Sequence, residues 1–132
     1  MEKEFTPYKQ ALELKELGCD EPCFACYTTD GELSYDFSDN QGERHYFQEC
    51  SAPTFSQAFR WFRKNHNLSG EVYSENFGGC IEYSFHIRDL YTEEEIFDNF
   101  FGTGVSYSGT FKTYEETELA CLKKLIEIVK TK

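Results

Sequence analysis

Residues 52–64 (APTFSQAFRWFRK) constrain the fold more than any other stretch of this chain. Thr54 can cap a helix while Gln57, three residues on, returns a hydrogen bond to the cap residue, and Pro53 keeps the entering chain extended. Phe55, Ala58, Phe59 and Phe62 then recur at helical spacing as a buried face. Arg60, Arg63 and Lys64 are left together on the other side, with Trp61 between them. The stretch therefore predicts one well-placed helix and, on its outer side, the densest basic cluster of the chain.

The same signals organise the rest. Thr6 followed by Pro7 is a favoured cap-then-proline start for a first helix, with Tyr8, Ala11, Leu12 and Leu14 as its apolar side and Gly18 as its stop. Extended segments at 22–28 and 32–37 flank the turn residues Thr29, Asp30 and Gly31, and Leu33, Tyr35 and Phe37 alternate as a half-buried strand would. Residues 38–43 are a polar connection, and 44–50 predict a third strand that runs into the Thr54 helix. Residues 71–75 are short and extended and 76–79 turn. Ile81, Tyr83, Phe85 and Ile87 then alternate with Glu82, Ser84, His86 and Arg88, the clearest strand in the chain.

Thr92 with Glu95 reads as another capping box, predicting a short helix that ends near Gly102 with Ile96, Phe97, Phe100 and Phe101 as its apolar residues. Val105, Tyr107 and Phe111 suggest one more strand. Thr113 and Glu116 open a long final helix with Leu119, Leu122, Leu125, Ile126 and Val129 on its apolar face. Together these elements predict an α+β fold: a single domain over 1–132, with a mostly antiparallel sheet of about five or six strands and three main helices packed on one face.

Composition narrows the function. A chain of 132 residues with 13 Phe and 9 Tyr builds its core from a few large side chains, which argues against disorder. The net charge of -11, from 24 acidic and 13 basic residues, repels a phosphate backbone and disfavours general DNA or RNA binding. It suits either a basic partner surface or plain solubility. No segment approaches the roughly 18 apolar residues of a membrane span, and no apolar leader opens the chain, so no membrane partner and a cytoplasmic location are expected. In that compartment Cys19, Cys23, Cys26, Cys50, Cys80 and Cys121 are expected to be reduced thiols.

In residues 6–18 (TPYKQALELKELG), 20–23 (DEPC), 52–63 (APTFSQAFRWFR) and 113–129 (TYEETELACLKKLIEIV), the chain resembles a family of small uncharacterised proteins encoded by phages and prophages of Bacteroidetes bacteria. The position after Gly18 and that of Cys26 are usually aromatic in that family, and here both are cysteine. The resemblance implies a viral accessory role in a bacterial host and brings with it no activity and no catalytic residues.

Cys19, Cys23 and Cys26 have the spacing that holds an iron–sulfur cluster in radical enzymes, but a strand beginning near Cys23 would turn Cys23 and Cys26 to opposite faces, and the chain is too short for the partial barrel such enzymes use. His45, His66 and His86 are scattered, no nucleophile elbow is present, and Gly78-Gly79 and Gly102 with Gly104 read as tight turns rather than phosphate loops. No catalytic residue, metal or cofactor is therefore expected. Arginine grips phosphate bidentately and an indole can stack on a base, so Arg60, Trp61, Arg63 and Lys64, joined by His86 and Arg88, form a candidate site for a small anionic nucleotide. The competing use of these cations is a solvated helix face.

Glu93, Glu94, Glu95 and Asp98 beside Phe97, Phe100 and Phe101 would suit a protein partner or a homo-oligomer seam. The expected function is that of a non-enzymatic phage accessory protein, a counter-defence protein that sequesters an immune-signalling nucleotide. The alternative is an acidic inhibitor that docks on a host or defence protein. A small enzyme with a site assembled from residues distant in sequence is the third.

Overall fold

The computed structural model describes residues 4–20, 23, 25–34, 48–98 and 110–131. The expected strand positions Tyr35, Phe37, Val105 and Tyr107, the polar connection 38–43 and the expected helix residues Phe100 and Phe101 lie outside them. The chain forms two compact units, Met1–Trp61 and Phe62–Lys132.

In the first unit α1 (Tyr8–Glu16) ends in a Schellman arrangement. Gly18 takes φ 92°, its N–H donates to Lys15 O at 3.0 Å, and Cys19 N–H donates to Leu14 O at 2.9 Å. The expected Thr6 cap is absent: Pro7 occupies the cap position and α1 has no side-chain cap. Thr6 is buried and serves the core through its backbone, donating to Pro53 O at 2.8 Å and accepting from the Tyr27 hydroxyl at 2.6 Å. Strands β1 (Cys26–Thr28), β2 (Leu33–Ser34) and β3 (Gln48–Ser51) form an antiparallel sheet in the order β2-β1-β3. Gly31, at φ 82°, makes the β1–β2 turn. Phe5, Ala11, Ala25, Tyr27, Cys50 and Ala52 are the buried cluster of this unit, with Tyr8, Leu12 and Leu33 packed against it.

Helix α2 (Phe55–His66) carries the chain from one unit into the other. Its capping box forms as expected: Gln57 N–H donates to Thr54 Oγ1 at 3.2 Å, and Thr54 N–H donates to Gln57 Oε1 at 2.9 Å. Phe55, Ala58, Phe59 and Phe62 are buried.

In the second unit β4 (Leu68–Phe77), β5 (Cys80–Asp89) and β6 (Glu95–Asp98) form an antiparallel sheet in that order. Gly78 and Gly79, at φ 61° and 96°, make the two-residue turn whose left-handed backbone matches the strand twist, and this fixes the register with Phe77 opposite Cys80. Helix α3 (Tyr114–Lys130) packs on β4 and β5. Thr113 Oγ1 caps it by accepting from Glu116 N–H at 3.1 Å, and Thr117, Cys121, Leu122, Leu125 and Ile126 are its buried side. Gly70 lets this helix approach: a Cβ there would lie 2.7 Å from Cys121 Sγ.

The expected α+β class stands, with three helices among the described residues, but two expectations are corrected. The six strands among the described residues divide into two three-stranded sheets rather than one. Alternation reports which faces are buried and carries no information on which edges pair, and here α2 separates β3 from β4. Residues 95–98, expected to be helical, form β6. Glu93 sits at φ 64°, which no helix start accommodates, and Asp89 Oδ1 accepts from Tyr91 and Thr92 N–H at 2.8 and 3.1 Å to make a turn. Thr92 Oγ1 receives Glu94 N–H at 3.3 Å instead of capping a helix. Of the expected last strand, Phe111 makes a single bridge to Tyr83.

Candidate functional site

The register of β4, β5 and β6 assembles a polar cluster on the sheet face turned away from Gly70, Phe85 and Ile87. Glu71 lies opposite His86, and Tyr73 follows two residues along the same face of β4. On the other side of β5, Asp98 lies opposite His86 and Glu95 opposite Arg88. Residues three apart on a regular strand point to opposite faces. A bulge between Ile87 and Arg88 removes that constraint and brings both carboxylates beside His86, while leaving Ile96 exposed.

His86 is bracketed. Its Nδ1 lies 3.4 Å from Glu95 Oε1 and its Nε2 lies 3.6 Å from Glu71 Oε2. The Tyr73 ring meets the imidazole edge-on at 5.6 Å, and its hydroxyl donates to Asp98 Oδ1 at 2.9 Å. Burial, reinforced by that bond to Asp98, pushes the Tyr73 phenol up to about 12. Arg88 donates from Nε and from a terminal nitrogen to Glu71 Oε1, both at 3.3 Å. Partial burial raises the Glu71 pKa, but the His86 and Arg88 charges outweigh it and hold the carboxyl below its usual range. Among the described residues, His86, Glu95 and Asp98 are the group whose donor atoms converge, all within 4.8 Å of one another.

The six residues expected to bind a nucleotide lie on two elements, α2 and β5. His86 and Arg88 share one sheet face and both engage Glu71, so an anion approaching Arg88 competes with that carboxylate. Arg60, Arg63 and Lys64 are exposed on α2, whereas Trp61 is only 3% exposed and its indole belongs to the buried side. The apolar arc of α2 is thus wider than the phenylalanine spacing alone suggests, and the ring offers no open face for a base.

Sequence reasoning missed Glu71, Tyr73, Glu95 and Asp98 as members of a cluster. The Gly78-Gly79 turn was the available signal for Glu71 and Tyr73, because a two-residue loop dictates every pairing along β4 and β5. Glu95 and Asp98 were hidden by the false helix start at Thr92.

A second feature lies on the β5–β6 connection and its margin. Leu90, Tyr91 and Ile96 are 39%, 86% and 44% exposed, and Glu93, Glu94 and Glu95 are exposed beside them. Asp89 holds this turn through its side chain and through Glu93 N–H donating to Asp89 O at 2.7 Å. No helix among the described residues is long and apolar enough to cross a membrane. Comparison with protein-family models, with curated proteins and with solved structures finds no match to this chain.

Proposed function

We propose that this chain is a non-enzymatic accessory protein of viral origin that works in the cytoplasm of a bacterial host by docking on a host or defence protein. The contact is made by the acidic and apolar turn at residues 89–96. The observation that carries this reading is Tyr91, 86% exposed on a turn that Asp89 holds in place and beside exposed Glu93 and Glu94. Leu90 and Ile96 are exposed with it, and an aromatic anchor on a held turn with an acidic surround fits a basic protein surface. The net charge of -11 would steer such an encounter.

Capture from host lysate by the tagged parent and by Tyr91→Ala and Glu93→Lys/Glu94→Lys variants tests this. A partner retained by the parent, released by salt and lost from both variants at unchanged melting temperature is the expected result. Equal capture by all three proteins would refute the assignment to this turn.

A second reading, sequestration of a small anionic nucleotide, is favoured by the exposed Arg60, Arg63 and Lys64 on α2. Calorimetry with signalling nucleotides, against an Arg60→Ala/Arg63→Ala variant, decides it. Loss of two charged hydrogen bonds should weaken binding at least about tenfold.

A further inference from the structure

We propose that His86, Glu95 and Asp98 form a binding site for a divalent transition-metal ion of zinc-like chemistry, built across β5 and β6 and sharing Glu95 with the margin of the docking turn. The donor set is one imidazole nitrogen and two carboxylates, a mixture that suits borderline ions better than calcium or magnesium, which prefer oxygen alone.

The spacing supports an ion more than a direct bond. At 3.4 Å, His86 Nδ1 and Glu95 Oε1 are too far apart for a well-made hydrogen bond. Two donors that each lie about 2.1 Å from a tetrahedral ion are about 3.4 Å apart. All three donor atoms lie within 4.8 Å of one another, a span that side-chain adjustment shortens on binding.

The surroundings also match what a ligating histidine requires. The second ring nitrogen of a metal-bound imidazole commonly donates to a carboxylate that fixes tautomer and orientation. Glu71, held by Arg88, stands 3.6 Å from His86 Nε2, an ion-pair rather than a hydrogen-bond distance, and is the carboxylate placed to take that role when an ion fixes the ring. Nδ1 is then directed toward Glu95 as the metal-binding nitrogen. Tyr73 performs the equivalent service for Asp98, its hydroxyl donating to Oδ1 and fixing the orientation of the carboxylate. Three protein ligands leave a coordination position for water or a group from a partner.

The test uses the full chain with zinc chloride by calorimetry and with cobalt chloride by absorption. The expected result is one ion per chain, a visible cobalt spectrum without the thiolate charge-transfer band that cysteine ligation gives, and a zinc-dependent rise in melting temperature. His86→Asn and Glu95→Gln should each weaken zinc binding by more than about 100-fold, beyond the range for loss of an outer partner, and Tyr73→Phe by about tenfold. Should His86→Asn fail to fold, Glu95→Gln decides, because that side chain is exposed. Absence of binding at millimolar zinc, a thiolate band in the cobalt complex, or undiminished binding by Glu95→Gln would overturn the proposal.

Discussion

The contact between Gly70 and α3 offers the sharpest quantitative test of the second unit. Gly70 is buried on β4, and a Cβ placed there would meet Cys121 Sγ at 2.7 Å and Leu125 Cδ1 at 3.0 Å. Ordinary contact between such atoms is about 3.5–4.0 Å, so Gly70→Ala must push α3 outward or displace a sulfur that has little freedom to move. Overpacking of this kind costs about 1–3 kcal/mol, offset by about 0.4–1 kcal/mol because alanine restricts the unfolded chain. A net loss of about 1–2 kcal/mol is expected in urea denaturation, seen as a lower midpoint at constant slope. Cys121→Ala alone should cost about 1 kcal/mol from lost burial. It also removes the atom that clashes, so the double variant should be more stable than the sum of the single losses predicts, by about 1 kcal/mol. If Gly70→Ala unfolds with the parent, or if the two losses simply add, α3 does not sit against Gly70 as described.

Four further outcomes follow from the same geometry. Leu122→Ala should cost about 2–5 kcal/mol, because this side chain is wholly buried at the middle of α3 and its removal leaves a cavity. Thr54→Ala should cost about 1 kcal/mol through the lost capping box, whereas Thr6→Ala should leave the start of α1 intact in hydrogen exchange, since no side-chain cap exists there. The Tyr73 phenol, at about 12 against an ordinary 10.0, keeps its proton in the fold after the unfolded chain has lost it; its stabilising contribution is therefore complete below pH 10 and declines between 10 and about 12, and Tyr73→Phe should flatten that part of the stability profile. Alkylation of the native protein should reach the exposed Cys80 quickly and Cys121 only after unfolding, since burial pushes the Cys121 thiol up; mass spectrometry of labelled peptides reads the order.

Local sequence was sufficient wherever a structure depends on neighbours in the chain. The Thr54–Gln57 and Thr113–Glu116 caps, the Gly18 stop, the Gly78-Gly79 turn and the alternating strand 81–87 were all legible, because each is specified by hydrogen bonds or side-chain periods spanning only a few residues. Thr6 and Thr92 show where such signals fail. Thr6 has the pattern of a cap but is held in the core by Pro53 and Tyr27, and Thr92 opens no helix because Asp89 turns the chain and β5 recruits residues 95–98 into a ladder.

The division of strands into two sheets was likewise decided by edge pairing, to which periodicity is blind. His86 and Arg88 were visible as residues of interest, but their partners Glu71, Tyr73, Glu95 and Asp98 come from the two flanking strands, β4 and β6, and a bulge. Trp61 was misplaced for a related reason: its helical angle put it at the border of the apolar face, and only packing could show on which side of that border the indole lies. The sequence by itself thus determined the α+β class, the Thr54 and Thr113 caps and the main apolar positions of α2 and α3, since these depend on contacts close along the chain. The tertiary structure alone decided sheet membership, the strand at 95–98 and the polar cluster around His86, because long-range hydrogen bonding and burial can override a local preference worth only about 1 kcal/mol.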